Sequence, residues 1–558
     1  MTGTKDQNEE PRLAGRRRLL RGVTAGAGVL AAGAALPAAA KGRARASLFT
    51  RATHPVLADS PLKRASDALR LRLGLARDAF DARVGAQATN GDEAAHEGYC
   101  AMFTKALPHD ALGHVDPPAY ERLLDALRQN SGAAYDRIPL GGPRKLANPE
   151  AAYDFAMAGL DGQALRMRPA PGFASEETAG EVLELYWKAL LRDRPFLKFG
   201  SDPLVARAAS DMNAFAHTAG GPLTPLTAFR GETAGDRVGP YVSQFLLRDV
   251  PFGNSVHVQR YASPPAGADW GTSWDEWLFV QNGGVPGTPD LRGARFIHDG
   301  RSLAAYVHTD FTYQTYLNAA LILLGLGPDA VAKDSPARSS KTTGGFVSFG
   351  PADVVDAVAG AAREALHATW FQKWSVHRRL RPEAYSGRLH NQLTGRHAYG
   401  LPEALGETDG VGRTKARQGT ALLSQTYPEG APTHPSFPAG HAVIAGACVT
   451  MLKAFFEEGF VLPAPVQANE HGTALLPVPN ALTVGGELDK LAANVALGRD
   501  WAGVHYRSDG IDGLKLGEDV ALSLLASRAA CYSATFDGFS LTRFDGSRVT
   551  IGAGGLSA

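Results

Sequence analysis

Apolar residues recur three and four positions apart along most of the chain, a spacing that predicts helices, and Gly- and Pro-rich stretches interrupt them. From Glu181 to Arg192, Val182, Leu185, Tyr186 and Ala189 fall on one helical face. Pro351 stands where a helix can begin, and Val354, Val355, Val358, Ala362, Leu366 and Trp370 carry one apolar face forward, predicting a single long helix as far as Lys373. A further helix is expected from Gly440 to about Phe456 through Ile444, Cys448 and Leu452, while the Pro- and Gly-rich stretch Leu462 to Gly486 reads as a loop. Small β elements are expected near the tail, Thr542 to Ile551. The Ser-, Lys- and Gly-rich segment Lys333 to Gly345 lacks apolar periodicity and is the expected boundary between an N-terminal helical half (41–332) and a C-terminal helical bundle (346–540), with a tail at 541–558. The fold class expected is mostly α, built of helical bundles with minor β elements.

Composition narrows the function. At 558 residues with 44% hydrophobic and 20% charged residues, the chain is folded rather than intrinsically disordered. Lys plus Arg number 57 against 56 Asp plus Glu, so bulk charge draws it neither to nucleic acid nor to an anionic membrane, and functional charge must be local. Cys100, Cys448 and Cys531 permit at most one intramolecular disulfide and form no CxxC pair of the zinc or redox kind. The first forty residues differ from the rest. Arg16, Arg17, Arg18 and Arg21 precede an apolar Gly/Ala-rich run from Gly22 to Leu36, and Ala38, Ala39 and Ala40 offer small residues for cleavage. This resembles a twin-arginine export signal and implies delivery to the periplasm or the exterior. Beyond it no stretch has the apolar length to span a bilayer, so no membrane span is expected once the signal is removed.

Three separated pieces of the C-terminal half concentrate basic and imidazole side chains in apolar or Gly-rich surroundings. The first, Lys373-Trp-Ser-Val-His-Arg-Arg-Leu-Arg381-Pro382, places an ammonium at a helix end and a guanidinium before the proline that stops it. The second, His434-Pro-Ser-Phe-Pro-Ala439-Gly440-His441, opens a helix, where backbone N–H groups face any anion in front of them. The third, Gly498-Arg499-Asp-Trp-Ala-Gly-Val-His505-Tyr-Arg-Ser-Asp509, spaces His505 and Asp509 so that both lie on one helical face and the carboxylate fixes one imidazole nitrogen. Together they point to an oxyanion site.

The order basic-x-Arg-Pro, Gly-His opening a helix, then Arg-x5-His-x3-Asp resembles the superfamily that joins vanadium haloperoxidases to type 2 phosphatidic acid phosphatases and bacterial acid phosphatases. The eight-position separation of Lys373 and Arg381, and His434 seven residues before His441, are similar to the algal and bacterial bromoperoxidase type. So are Asn90 to Glu93, Gly239 to Phe245, Trp274 to Trp277 and Tyr306 to Asp310, which extend the likeness over most of the chain. The resemblance implies a mostly α fold of the haloperoxidase and acid phosphatase kind, vanadate as cofactor, hydrogen peroxide, halide and a small organic acceptor as substrates, and a homodimer or larger homo-oligomer. It implies His505 as the axial ligand, with Lys373, Arg381, Arg499 and the Gly440 N–H on the equatorial oxygens and Asp509 orienting His505. It further implies His441 as acid and base, His434 as its modulator, Trp370 on the halide side of the pocket, and Asp310 as a carboxylate partner of Arg499. One departure stands out: relatives often have Ser before the Gly-His pair, and this chain has Ala439. The alternative implied by the same superfamily is a secreted acid phosphatase with His505 as nucleophile.

Overall fold

The computed structural model describes residues 61–215 and 222–557; the export-signal residues 1–40 lie outside them. Among the described residues, the helices of eight residues or more are α1 Pro61–Asp81, α2 Pro117–Gln129, α3 Glu176–Leu191, α4 Pro203–Ala214, α5 Trp274–Gln281, α6 Gly300–Thr309, α7 Gln314–Leu324, α8 Pro351–Trp370, α9 Pro382–Leu393, α10 Asp409–Gln418, α11 Gly440–Phe455, α12 Val484–Trp501 and α13 Arg507–Cys531. Their starts follow local chemistry. Proline opens α4, α8 and α9, where its missing N–H has no partner to lose. Ser175, Asp202, Ser273, Asp299 and Thr483 cap α3, α4, α5, α6 and α12 through their side-chain oxygens.

The centre of the molecule is α11, buried from end to end except at His441. It packs against α13, α8 and α12, and α12 in turn packs against α6 and α3. The α11–α13 crossing is close because both helices present glycine there. A Cβ on Gly446 would stand 2.1 Å from the Leu514 carbonyl oxygen, and one on Gly517 would stand 2.0 Å from that of Val443. One continuous apolar core runs from Ala101 to Ile551, so residues on both sides of the 333–345 stretch contribute to it.

Two sequence expectations need correction. The helix from Pro351 does not run regularly to Lys373: α geometry ends at Trp370 and a π-helical segment, Phe371–His377, continues it. The Leu462 to Gly486 stretch is not loop throughout, because Val466–Ala468 and Leu475–Pro477 pair as an antiparallel hairpin and α12 begins at Val484. Pro463, Pro465 and Pro477 dominate the composition there, yet a short edge hairpin tolerates proline. A further hairpin, Val250–Phe252 with Ser255–His257, and an antiparallel pair joined across α5, Tyr261–Ser263 with Arg292–Arg295, lie in the N-terminal half. The tail forms a three-stranded antiparallel sheet, Phe539–Thr542, Arg548–Gly552 and Gly555–Ser557.

Candidate functional site

The π-helical segment that follows α8 sets the first piece of the site. Its last residues turn the chain sharply: Arg378 is left-handed (φ 44°) and donates its N–H to the Lys373 carbonyl, while its guanidinium grips both Glu93 oxygens at 2.8 and 2.7 Å. Pro382 then holds Arg381 extended at the N-terminus of α9. Lys373 and Arg381 thereby reach the same loop, 433–440, from different directions. Lys373 Nζ donates to the carbonyls of Pro435 (2.5 Å) and Ser436 (2.8 Å). Arg381 donates from Nε to the His434 carbonyl (2.9 Å) and through a terminal nitrogen to His434 Nδ1 (3.0 Å).

Arg381 also donates to the Val504 carbonyl (2.8 Å) and to His505 Nε2 (2.9 Å). A guanidinium has only donors, so His505 Nε2 must be a lone pair and its proton must sit on Nδ1, which bonds Asp509 Oδ2 at 2.8 Å. The four-residue spacing works differently from the helical face expected. His505 precedes α13, and Asp509 folds back from the first turn to accept from both the His505 ring and the Tyr506 N–H (3.1 Å). Asp509 Oδ2 further accepts from Ser436 Oγ, at 2.5 Å, and Oδ1 accepts from Arg379 at 2.8 Å. This carboxylate therefore joins all three sequence pieces. Its backbone carbonyl accepts the Ala439 N–H at 2.9 Å, which fixes the start of α11 against α13.

Arg499, in the last turn of α12, donates to the Val307 carbonyl (2.6 Å) and the Tyr427 hydroxyl (3.3 Å), and its Nε is buried without a partner. Gly440 opens α11 with no side chain capping the first turn, as Ala439 dictates. A Cβ on Gly440 would make only ordinary contacts with Thr369 and Trp370, at 3.8 Å, so the protein's own packing does not demand glycine there. His441 is the most open member of the set, with 30% of its side chain exposed, and its Nε2 lies 3.0 Å from Asp310 Oδ1. Here the expected pairing is corrected: Asp310 partners His441, and Arg499 instead takes the α6 carbonyl of Val307, because α6 ends at Thr309 and turns Asp310 toward the N-terminus of α11. Trp370 packs its ring 5.0 Å from that of His434 and donates to the Ala147 carbonyl.

The electrostatics follow from burial. Lys373, Arg381 and Arg499 are each less than 5% exposed, and Asp509 is the carboxylate among them. Burial, reinforced by Arg381 and Arg499 and opposed by Asp509, holds the Lys373 ammonium well below its ordinary range. Burial likewise brings Arg381 down to about 9 against the pull of Asp509. Burial and the neighbouring cations push His505 and His434 far below the usual imidazole range, so both rings are neutral. Three enclosed cations, an unpartnered guanidinium nitrogen and a neutral imidazole lone pair aimed among them make a site short of negative charge. A tetrahedral oxyanion whose central atom accepts a nitrogen ligand fits that donor set; a metal cation would not.

Sequence reasoning missed Arg379, which bonds Asp509 and Glu181 and stacks 3.9 Å over the Tyr506 ring. It also missed Ser436 and Tyr427. Arg379 was visible as the middle base of the Lys373 to Arg381 run; Ser436 and Tyr427 carry no spacing signal of their own.

Comparison with known proteins supplies the family. Residues 354–532 match the family model of the VCPO second helical-bundle domain. The chain is 35% identical over 456 residues to a vanadium-dependent bromoperoxidase of Ascophyllum nodosum, covering 76% of this chain and 82% of that protein. It is 31% identical over 602 residues to a vanadium-dependent bromoperoxidase of Corallina pilulifera, covering 88% of this chain and 99% of the relative. The solved homohexameric structure of a second vanadate-dependent bromoperoxidase from Ascophyllum nodosum superposes with a TM-score of 0.84 at 30% identity, over 94% of this chain and 95% of that one. The buried cations, the neutral histidine and the likeness along nearly the whole length lead to one assignment: the chain belongs to the vanadium-dependent bromoperoxidase family.

Proposed function

We propose that the protein is a vanadate-dependent haloperoxidase that oxidises halide, bromide first among them, with hydrogen peroxide, and that the product halogenates small organic acceptors. The net reaction, H2O2 + Br⁻ + H⁺ → HOBr + H2O, needs one proton in and one water out. The observation that carries the proposal is the anion-deficient cluster of Lys373, Arg381 and Arg499 around the Nε2 lone pair of His505. Vanadate, when bound, supplies a Lewis-acidic centre that polarises peroxide toward halide without changing oxidation state. The protein's part is binding, orientation and proton movement. Lys373, Arg381, Arg499 and the amide of Gly440 hold the oxygens, and the His505 Nε2 lone pair is the ligand. Asp509 keeps the proton on Nδ1 of that ring and is itself held by Arg379 and Ser436. His441, whose Nε2–H donates to Asp310 at the open side of the site, accepts a proton from incoming peroxide on its other ring nitrogen and returns one to the departing water. His434, in the lee of Trp370 and bonded to Arg381, tunes that exchange by staying neutral.

The test has two arms. Phosphate-free apoprotein is given peroxide and bromide with increasing orthovanadate, and separately an aryl phosphate. Bromination of a phenol that appears only with vanadate is the expected result. Phosphate release without bromination would instead assign the site to acid phosphatase chemistry, with His505 as nucleophile.

Export through the twin-arginine segment around Arg16 and Arg17 to the periplasm or exterior belongs to the same proposal, supported by that sequence alone. Among the described residues no helix is long and apolar enough to cross a membrane. We take 346–540 as the bundle that holds the site and 41–332 as the half that buttresses it through α3 and α6. A homo-oligomer is the proposed state, in line with the homohexameric relative.

A further inference from the structure

Helix α1, Pro61–Asp81, has two apolar faces. Ala68, Leu71 and Leu75 are half-buried on the side toward the body, where α1 packs against α13. Leu62, Leu69, Leu73 and Phe80 are exposed. At about 100° per residue these four fall within roughly 20° of one line, directly opposite the inner face. Among the described residues Arg83 stacks on the Phe80 ring at 4.3 Å, yet all four side chains remain exposed, and a contiguous apolar stripe of this kind is rarely left to water.

The spacing of the stripe names its occupant. The intervals are seven, four and seven, so the pattern reads the same from either end of the helix. In an antiparallel pair related by a two-fold axis near Leu71, Leu62 of one helix meets Phe80 of the other, and Leu69 meets Leu73, each contact occurring twice. That is the requirement of an isologous interface, in which residue i touches j and j touches i. The flanking charges have mixed sign, with Asp67 paired to Lys63 and Arg70 on the helix itself, which suits a protein partner better than an anionic surface.

The stripe does not stand alone. The loop carrying Phe155 and Met157 is tied to α13, the helix beneath α1, by N–H bonds from Gly159 to Ser527 Oγ (3.3 Å) and from Leu160 to Ser523 Oγ (3.1 Å). The six side chains are between 47% and 89% exposed. At about 180 Å² for each fully exposed large apolar side chain they offer roughly 700 Å² per protomer, close to the ~800 Å² per partner of a stable interface. We propose that this face is a two-fold interface between copies of the chain, with α1 pairing antiparallel to α1 of the second copy. The inference rests on the homo-oligomer reading and adds to it the surface and the register.

Two measurements on the full-length protein test it. Sedimentation mass of the wild type is compared with that of the Leu69→Asp/Leu73→Asp variant, with far-ultraviolet circular dichroism as the check on folding; the mass should fall to half or less with helicity retained. In a Cys100→Ser/Cys531→Ser background, co-expressed Leu62→Cys and Phe80→Cys chains should oxidise to a covalent dimer, and neither should do so alone, because equivalent positions in this register lie about 27 Å apart along the helix pair. A monomeric wild type would overturn both the oligomer and its interface. An oligomeric wild type with no cross-link and an unchanged variant mass would overturn the interface alone. Vesicle binding abolished by Leu69→Asp, with the mass unchanged, would give the stripe to a membrane instead.

Discussion

His505 can act as a ligand only while its ring is neutral and its proton stays on the far nitrogen. Both conditions are met by contacts rather than by the ring itself: burial and the surrounding cations keep it uncharged, and Asp509 takes the Nδ1 proton. His505→Ala should therefore abolish saturable vanadate binding, measured by equilibrium dialysis, together with bromide oxidation; retained binding would mean the ligand is elsewhere. His441→Ala should lower turnover by about 10²- to 10⁴-fold while vanadate affinity changes by less than about tenfold, since in the proposed function His441 moves protons and the three cations hold the anion. Ala439→Ser should restore a neutral donor to a charged acceptor and tighten vanadate binding by roughly 1.5 to 3 kcal/mol, about 10- to 150-fold. An unchanged dissociation constant would show that the first turn of α11 does not face the anion. Most of these residues were legible in the sequence because cations, glycine and histidine in apolar company are costly unless used. The Asp310 partner was not, because which of two nearby bases a carboxylate takes depends on how α6 ends, and no spacing rule reports that.

The helices set the distances between those residues. α11 carries Gly440 and His441, α13 follows His505 and carries Asp509, and their glycine crossing at Gly446 and Gly517 fixes one against the other. Gly446→Ala must push the Leu514 backbone away, and since backbone cannot rotate aside as a side chain does, the cost should be about 1 to 3 kcal/mol or more. A lower melting temperature with weakened vanadate binding is expected, and full retention of both would show that the crossing can spread without moving the site. The starts of α8 and α11 were readable from Pro351 and Gly440 with the periodicity behind them, and α3 was readable from its apolar face although it begins at Glu176, a turn before that face was traced. Their departures were not. A π turn leaves apolar spacing almost unchanged for a single turn, so the start of that segment, Phe371 to Lys373, looked like more α-helix. The hairpin at Val466–Ala468 and Leu475–Pro477 is too short to show alternation above its prolines.

At the scale of the whole molecule, buried charge links the site to stability. Behind Arg499, Asp500 pairs with Lys188 (3.0 Å), which also holds Glu184 at 2.7 Å, itself gripped by Arg507. Burial, against the pull of Lys188, raises Asp500 to about 7, whereas Glu184 is brought down to about 2, its own burial outweighed by Arg507 and Lys188. An acid with a raised folded pKa binds more protons folded than unfolded, so its contribution is full below the ordinary value near 3.8 and is lost as pH rises through about 7. Glu184 works in the opposite sense, and its contribution fades only as pH falls from 4.5 through about 2. Asp500→Asn should therefore flatten the decline of melting temperature between pH 4 and 7 in the wild type; an unaltered slope would place that titration in other groups. The central claim is tested most directly by a crystal of the phosphate-free protein soaked in orthovanadate. Vanadium bonded to His505 Nε2, with Lys373, Arg381 and Arg499 around its oxygens, is the predicted result. Vanadium bound elsewhere, or no vanadium at that ring, would contradict it.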